Sequence, residues 1–348
     1  MLRLLTRHWF LVMLAVMLGL GLTVPATLAP ITQSFPRDGV LSATMFFMAL
    51  PLEVTLIWHA VRRPQAVMLG VAINSGLLPL TAWLVSLALR PDLAAGLLVA
   101  GSVPSTLASA AVWTRRAGGN DAIAALVTLI TNFGCFLITP FWLWVTTGTR
   151  SEISGTQMAL ELILVVVVPM LLGQLARLYR PLAVWATRHK PGLSLVAQWG
   201  ILTMVLIAAV EAGLKLKRGE SSIDAWSWLS MIASVMVVHV AMLAVGHALS
   251  ALFRLSRADR IAVGFAGSQK TLMIGVNTAL ESFGGLAMFP MVAYHVCQLL
   301  IDALVAEWLV DRAAAPANAT AGQVASKASV PEQLDALAAV DEGEADAG

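Results

Sequence analysis

Long apolar runs alternate with short polar segments along most of the chain, up to about residue 310. A helix needs about 20 apolar residues to cross the roughly 30 Å of hydrocarbon in a bilayer, and each run approaches or exceeds that length. The predicted spans are residues 8–29, 40–60, 65–89, 93–114, 121–146, 157–178, 192–214, 226–253, 260–283 and 286–310. The pattern therefore predicts an all-α integral membrane protein with ten transmembrane helices.

The basic residues give these spans an orientation. Fifteen of the 22 Lys and Arg residues lie at the N-terminus or after an even-numbered span. Six follow odd-numbered spans, namely Arg37, Arg90, Arg150, Lys215, Lys217 and Arg218. Because short cytoplasmic segments carry an excess of Lys and Arg, we expect the protein in the cell (inner) membrane with both termini in the cytoplasm.

Composition supports a membrane class and weakens others. Hydrophobic residues make up 58% of the chain and charged residues 12%, whereas a soluble domain carries about 25% charge. A net charge of +2 is too small to suggest a nucleic-acid partner. Residues 313–348 are rich in Ala and end in an acidic run, so we predict a disordered cytoplasmic tail after a transporter domain of residues 1–312.

Ten spans divide near residue 150 into two halves of five, which enter the membrane from opposite sides. This permits an inverted-topology repeat, with residues 1–150 as the first unit and 151–312 as the second. The fourth span of each half is interrupted, at Gly101–Thr106 by Pro104 and hydroxyl residues, and at 264–275 by glycines and polar residues. A broken helix frees backbone groups that must face a cavity, an ion or protein, so the matched breaks predict a transport site.

Lys270 lies within the second interruption. An ammonium inside a span is costly and normally faces a partner or a cavity. One interpretation is a structural ion pair, with Glu281 or Asp302 as the counter-charge. The others are functional: an anion contact, a group that exchanges protons, or a fixed replacement for a bound cation.

Polar residues concentrate around the two breaks. A single Ser or Thr in a span is most often a packing residue, and His239 and His247 fit hydrogen-bonded contacts between helices better than a proton relay. Several oxygen ligands together can nevertheless bind a hard cation. The candidate substrate or ion ligands are Lys270, Gln269, Ser268, Ser105, Thr106, Ser109, Thr128, Asn132, Asn74, His295 and Gln298.

Both interrupted spans carry distinctive motifs. Residues 101–109 read GSVPSTLAS and are followed by Gly119-Asn120 and Thr139-Pro140, while residues 264–272 read GFAGSQKTL. These segments resemble the fourth-to-fifth and ninth spans of the bile acid:sodium symporter family. Pro-Ser-Thr in place of Pro-Gly-Gly-Thr, together with Thr131-Asn132 and the pattern Tyr294-His295-x-x-Gln298, resembles its divergent SBF-like branch.

The resemblance implies two inverted five-helix repeats in which helices four and nine are broken and cross. It implies a core of helices 3–5 and 8–10, a panel of helices 1, 2, 6 and 7, and transport by motion between them. The usual substrates are amphipathic organic anions such as bile acids, driven by sodium. Ser109, Thr128 and Gln269 match sodium-coordinating positions, and Asn74 stands where a Gln is usual.

The sequence departs from the family where sodium is expected. Ala110, Ala124 and Phe265 replace polar ligands, and Lys270 replaces an Asn. Two unit charges about 5 Å apart repel by roughly 3 kcal/mol at an effective dielectric near 20. Our hypothesis is that Lys270 occupies the place of a cation, so that the protein is uncoupled from sodium there or coupled to protons through the lysine.

Two functions follow as expectations. The first is a secondary active transporter of a small or amphipathic organic anion, working by alternating access and without a resident cofactor; Na⁺ or H⁺ would be the coupling ion. The alternative is a membrane scaffold or regulatory protein that keeps the transporter fold. The chain has no His-Glu-x-x-His, Gly-x-Ser-x-Gly or phosphate-loop motif, which lowers the expectation of an enzyme.

Overall fold

Helices form all of the regular structure in the part of the chain that the computed structural model describes, residues 9–53, 62–107, 109–147, 154–219 and 224–312. The predicted tail at 313–348 lies outside these residues. The helices are α1 (Trp9–Thr23), α2 (Pro25–Ser34), α3 (Arg37–Ala49), α4 (Pro64–Ser86), α5 (Pro91–Ser102), α6 (Ala110–Arg116), α7 (Asp121–Phe133), α8 (Cys135–Thr147), α9 (Gly155–Ala176), α10 (Arg180–Arg188), α11 (Lys190–Lys217), α12 (Ala225–Leu252), α13 (Arg257–Ser268), α14 (Leu272–Phe283) and α15 (Gly285–Arg312).

Among the described helices, five are long and apolar enough to cross a membrane: α4, α9, α11, α12 and α15. The count rises to seven if the bent pairs α1/α2 and α7/α8 each form one span. The predicted spans at 93–114 and 260–283 are each divided into two shorter helices. The predicted span at 40–60 corresponds to α3 up to Ala49, and its later part lies outside the described residues from position 54. An all-α membrane fold is confirmed, while ten spans in inverted repeats stay a prediction.

The first span is not the single helix predicted over residues 8–29. Helices α1 and α2 meet at an angle of 109°. Pro25 begins α2, and the preceding Val24 has left the helical region, with φ −123° and ψ 45°. A proline disfavours helical geometry in the residue before it and lacks the N–H that would continue the ladder, so the bend falls at Val24.

The fifth span is also bent, by 67° between α7 and α8. Gly134 separates the two helices. Beside it, the Asn132 amide donates to the Thr128 carbonyl one turn back and to Ser105 in another segment, each at 2.8 Å. Pro140 then lies inside α8, where it cannot donate to the carbonyl four residues earlier. The predicted span at 121–146 thus corresponds to a bent pair of helices, which together are long and apolar enough to form one span.

Helix α4 contains a π-helical turn at Ile73–Leu77. The Leu78 N–H bonds to the Ile73 carbonyl, and the next residue, Pro79, has no N–H. The carbonyls of Asn74 and Ser75 therefore lose their helical donors and need partners from elsewhere. The Trp142 indole N–H donates to the Ser75 carbonyl at 2.6 Å.

The helices pack in two groups. Helices α1, α2 and α3 pack against α11, and α3 also packs against α9. In the other group α13 packs against α12, α4, α7 and α6, while α5 packs against α4, α8 and α14. Helices α12 and α13 approach closely at Gly246 and Gly264, where the absence of side chains allows close backbone contact. A Cβ on Gly246 would lie 2.9 Å from the Gly264 Cα.

Helices α13 and α14 form the most shielded part of the molecule. Every residue of α13 from Ile261 to Ser268 is buried, as is every residue of α14 up to Leu280. Large apolar side chains such as Leu164 and Leu172 on α9 are instead exposed. An apolar exterior around a buried polar interior is the arrangement expected of a protein that faces lipid.

Candidate substrate and ion site

The interruptions of the two broken spans meet inside the second helix group. The first break is the segment 103–109 between α5 and α6, and the second break is the segment 269–271 between α13 and α14. The Thr271 N–H donates to the Pro104 carbonyl at 3.0 Å, and the Ser109 hydroxyl donates to the Gln269 side-chain oxygen at 2.9 Å. The half-helices pair reciprocally, α5 with α14 and α6 with α13.

Four consecutive carbonyls at the first break each accept a hydrogen bond. The Thr139 hydroxyl donates to Ser102 at 3.0 Å, and the Lys270 ammonium donates to Val103 at 2.6 Å. Thr271 and Asn132 serve the carbonyls of Pro104 and Ser105. The C-terminal carbonyls of a helix are exposed acceptors at its negative end, so this break is closed by donors from other helices.

The carbonyls of the second break are served in a different way. The Asn74 amide nitrogen lies 3.1, 3.3 and 2.9 Å from the carbonyls of Ala266, Gly267 and Gln269. The Tyr294 hydroxyl donates to Ser268 at 2.8 Å, with His239 Nδ1 at 3.3 Å from the same oxygen.

Gln298 pairs with the backbone of Lys270 through both ends of its side-chain amide. Its oxygen accepts from the Lys270 N–H at 2.9 Å and its nitrogen donates to the Lys270 carbonyl at 3.0 Å. The backbone groups that this break frees are therefore satisfied by donors and acceptors of the protein itself.

The Lys270 ammonium is held by oxygens alone. Its Nζ lies 2.7 Å from the Asn74 carbonyl, 2.6 Å from the Val103 carbonyl and 3.2 Å from the Asn74 side-chain oxygen, and the side chain is fully buried. The Asn74 carbonyl is one of the two that the π turn and Pro79 deprive of a helical donor. Three acceptors match the three N–H donors of a protonated lysine, so the geometry suits an ammonium.

Neither counter-charge expected from the sequence pairs with Lys270. Asp302 accepts from His239 Nε2 at 2.9 Å and from the Gln269 amide at 2.5 Å. The Glu281 carboxylate lies beside Asp38 and Glu161 instead. Within the described ranges no carboxylate lies within ion-pair distance of Lys270. The prediction was wrong because the helix-end carbonyls supply the negative end of a dipole where a carboxylate was expected.

The three positions that resemble sodium ligands are only partly brought together. Ser109 and Gln269 form a hydrogen bond, whereas the Thr128 hydroxyl contacts Ser105 Oγ at 3.4 Å. Ala124 and Phe265, which replace polar ligands of the family, are fully buried. Neither of these two side chains can supply an oxygen ligand to a cation.

The remaining candidates lie at the same place or just behind it. Ser105, Ser268 and Thr106 are buried, and the Ser105 carbonyl accepts a hydrogen bond from the Asn132 amide. His295 is buried, its Nδ1 lies 2.9 Å from the Gln298 amide nitrogen, and its ring contacts Phe10 of α1. Most of the predicted residues thus line the two breaks, and His295 lies behind Gln298 towards the other helix group.

Two ligands of this network escaped the sequence analysis as functional candidates. Thr139 appeared there only as part of a motif with Pro140, and Tyr294 only as part of a motif with His295 and Gln298. A signal was present for Tyr294, because Tyr294, Gln298 and Asp302 recur at intervals of four residues and so share one face of α15. No local signal marks Thr139, whose hydroxyl reaches a carbonyl 37 residues earlier in the chain.

Apolar helices around two interrupted spans that meet in the interior define a class, that of secondary membrane transporters. The chain belongs to the SBF-like CPA transporter family, which matches residues 8–311. It is accordingly an integral membrane transporter rather than an enzyme.

Similar proteins extend over most of the chain. Sodium/bile acid cotransporter 7 of Rattus norvegicus is 23% identical over 326 residues, which cover 88% of this chain and 94% of the rat protein. Sodium/bile acid cotransporter 7-B of Xenopus laevis is 24% identical over 72% of this chain and 71% of its own. An uncharacterized protein of Pseudomonas aeruginosa is 28% identical over 69% of this chain and 70% of its own length.

Proposed function

We propose that this protein is a secondary active transporter of an amphipathic organic anion and that Lys270 serves as a built-in cation at the crossing of the broken helices. The observation that carries the proposal is the coordination of the Lys270 Nζ by three oxygens at 2.6–3.2 Å. Carbonyl and amide oxygens of this kind are the ligands that a hard cation takes in proteins. A sodium ion at this position would meet a positive charge already in place.

An anionic substrate is supported by charge and by the relatives. The N-terminus of α14, which begins at Leu272 beside the second break, is the positive end of a helix dipole. Lys270 adds a full positive charge to the same region. Two of the similar proteins are named as sodium/bile acid cotransporters, so bile acids and related sulfonated or carboxylated amphiphiles are the first substrates to test.

Alternating access is supported by the division of the packing. A panel of α1–α3 with α9 and α11 would move against a core of α4–α8 with α12–α15. The hydrogen bonds of the two breaks lie within the core, so the site would travel as a rigid unit. The positive-inside pattern supports cytoplasmic termini in the cell membrane.

The test combines stability with flux. Thermal unfolding of the purified protein would be measured in NaCl and in choline chloride, for the native chain, Lys270→Asn and the control Lys190→Asn, whose lysine is exposed at the start of α11. A ligand at about 100 times its Kd stabilises the folded state by about 2.7 kcal/mol. We expect the unfolding temperatures of the native chain and of Lys190→Asn to be the same in both salts. The unfolding temperature of Lys270→Asn should be higher in NaCl than in choline chloride.

The flux experiment measures the uptake of a labelled bile acid into proteoliposomes that contain the purified protein. We expect uptake by the native chain without a sodium gradient. Sodium-specific stabilisation of the native chain, or uptake that stops without sodium, would overturn the role of Lys270. Both measurements use the native chain, so they remain informative even if Lys270→Asn does not fold. Absence of flux for a panel of organic anions would contradict transport and favour the scaffold alternative.

A further inference from the structure

Three carboxylates converge at one end of the molecule, away from the two breaks. Single oxygens of Asp38, Glu161 and Glu281 lie within 4.8 Å of one another. Asp38 is the second residue of α3, Glu161 lies in the second turn of α9, and Glu281 lies in the last turn of α14. None of the three has a described Lys, Arg or His within 4.0 Å. Carboxylates held this close repel one another unless a shared proton or a cation lies between them.

The side-chain amide of Asn277 is a fourth polar group that contacts the same cluster. Asn277 precedes Glu281 by one turn of α14 and so shares its face. The Asn277 amide nitrogen donates to Glu161 Oε1 at 2.8 Å, which fixes the direction of the side chain. Its side-chain oxygen, on a residue only 1% exposed, has no hydrogen-bond partner among the described residues. A buried amide oxygen is rarely left without a partner, and this one belongs to the amide that contacts Glu161 at the edge of the cluster.

We infer that Asp38, Glu161, Glu281 and the Asn277 side-chain oxygen form a binding site for a hard divalent cation. Carboxylate and amide oxygens are the ligands that such cations prefer, and a high carboxylate count favours a divalent over a monovalent ion. Asp38 is exposed while Glu161 and Glu281 are half-buried, which gives an ion access from solvent. Water would complete the coordination.

The site would also join the two moving parts, a consequence that rests on the proposed function. Asp38 and Glu161 belong to the panel, whereas Glu281 and Asn277 belong to the core. An ion bound by both would hold panel and core together at one mouth of the transporter. Asp38 is adjacent to Arg37, so this mouth is on the predicted non-cytoplasmic side. The cation would slow the opening of that mouth and hence the transport cycle.

The binding test is independent of transport. The purified chain would be stripped with EDTA and titrated with CaCl₂ or MgCl₂ while its unfolding temperature is followed. We expect a rise of about 3–5 °C for the native chain and no rise for Glu161→Gln or Glu281→Gln. Asp92→Asn is the matched control, because Asp92 is an exposed acid in the first turn of α5 outside the cluster, and it should respond like the native chain.

Isothermal titration of the native chain, which needs no variant, should give one divalent site per molecule. No divalent-dependent heat and no shift in unfolding temperature would overturn the inference, as would an equal response to NaCl. A shift that survives in both glutamine variants would overturn it as well. Loss of flux with divalent binding intact contradicts only the proposed function, whereas flux without divalent binding contradicts only this site.

Discussion

The two breaks solve the same problem with different numbers of donors. At the first break each carbonyl from Ser102 to Ser105 has its own donor, supplied by Thr139, Lys270, Thr271 and Asn132. At the second break the Asn74 amide nitrogen lies within hydrogen-bond distance of three carbonyls, while the side-chain oxygen and the backbone carbonyl of Asn74 accept from Lys270. The first break thus spreads its hydrogen bonds over four residues. At the second break three carbonyls share Asn74, and Tyr294 and Gln298 serve the carbonyls of Ser268 and Lys270. Loss of a single residue should therefore cost most at the second break.

Asn74→Leu should have the largest effect on stability. It removes the donor to the carbonyls of Ala266, Gly267 and Gln269 and one acceptor of a buried ammonium. Each buried polar group left unpaired costs about 1–3 kcal/mol, so we expect the free energy of unfolding to fall by about 3 kcal/mol or more. Unfolding in detergent would measure this against Gln65→Leu, an exposed position near the start of the same helix. Equal losses in the two variants would contradict the central role of Asn74.

Gln298→Leu should rank second. It leaves the N–H and the carbonyl of Lys270 without their partners in a fully buried segment. The expected loss is about 2–4 kcal/mol, observed as a lower unfolding temperature. Gln198→Leu is the control, since the Gln198 amide donates to Ser194 on its own helix. If Gln198→Leu were as unstable as Gln298→Leu, the claim that Gln298 stabilises the protein through the Lys270 backbone would be contradicted.

Thr139→Val should cost less, because only the Ser102 carbonyl at the first break loses its donor. The substitution keeps the shape of the side chain, and we expect a loss of about 1–2 kcal/mol. Thr147→Val removes a hydroxyl that bonds within its own helix to Leu143, and it should change stability by less than about 0.5 kcal/mol. A loss for Thr139→Val as large as for Asn74→Leu would contradict the view that the first break distributes its hydrogen bonds over independent donors.

Tyr294→Phe should have the smallest effect of the four. The Ser268 carbonyl would lose the tyrosine hydroxyl. His239 Nδ1 stays 3.3 Å away and can donate to this carbonyl only when both ring nitrogens carry a proton, because Nε2 donates to Asp302. We expect a loss of about 1 kcal/mol, since one hydrogen bond contributes about that much. A loss larger than that of Thr139→Val would show that His239 does not substitute for the hydroxyl.

The sequence located both breaks because their causes are local. Pro104 removes a backbone donor, and the glycines and polar residues around Gly267 weaken a helix in hydrocarbon. Pro25 is a local cause of the same kind for the first bend. The apolar run continues through it, however, and the length of that run predicts an uninterrupted span. The π turn at Ile73–Leu77 was not predicted, although Pro79 explains afterwards which carbonyls it frees.

By itself the sequence determined that this chain is a helical membrane protein with two interrupted spans and a lysine among them. Hydrophobic length, proline and glycine act within one helix, so their consequences can be derived from neighbouring residues. Only the tertiary structure decided that Lys270 lies on the carbonyls of Asn74 and Val103 rather than on Asp302. It also decided that Asp38, Glu161 and Glu281 share one place. Lys270 and Asn74 are 196 residues apart along the chain, and Asp38 and Glu281 are farther apart still. The packing of whole helices, which no local pattern specifies, brings these partners together.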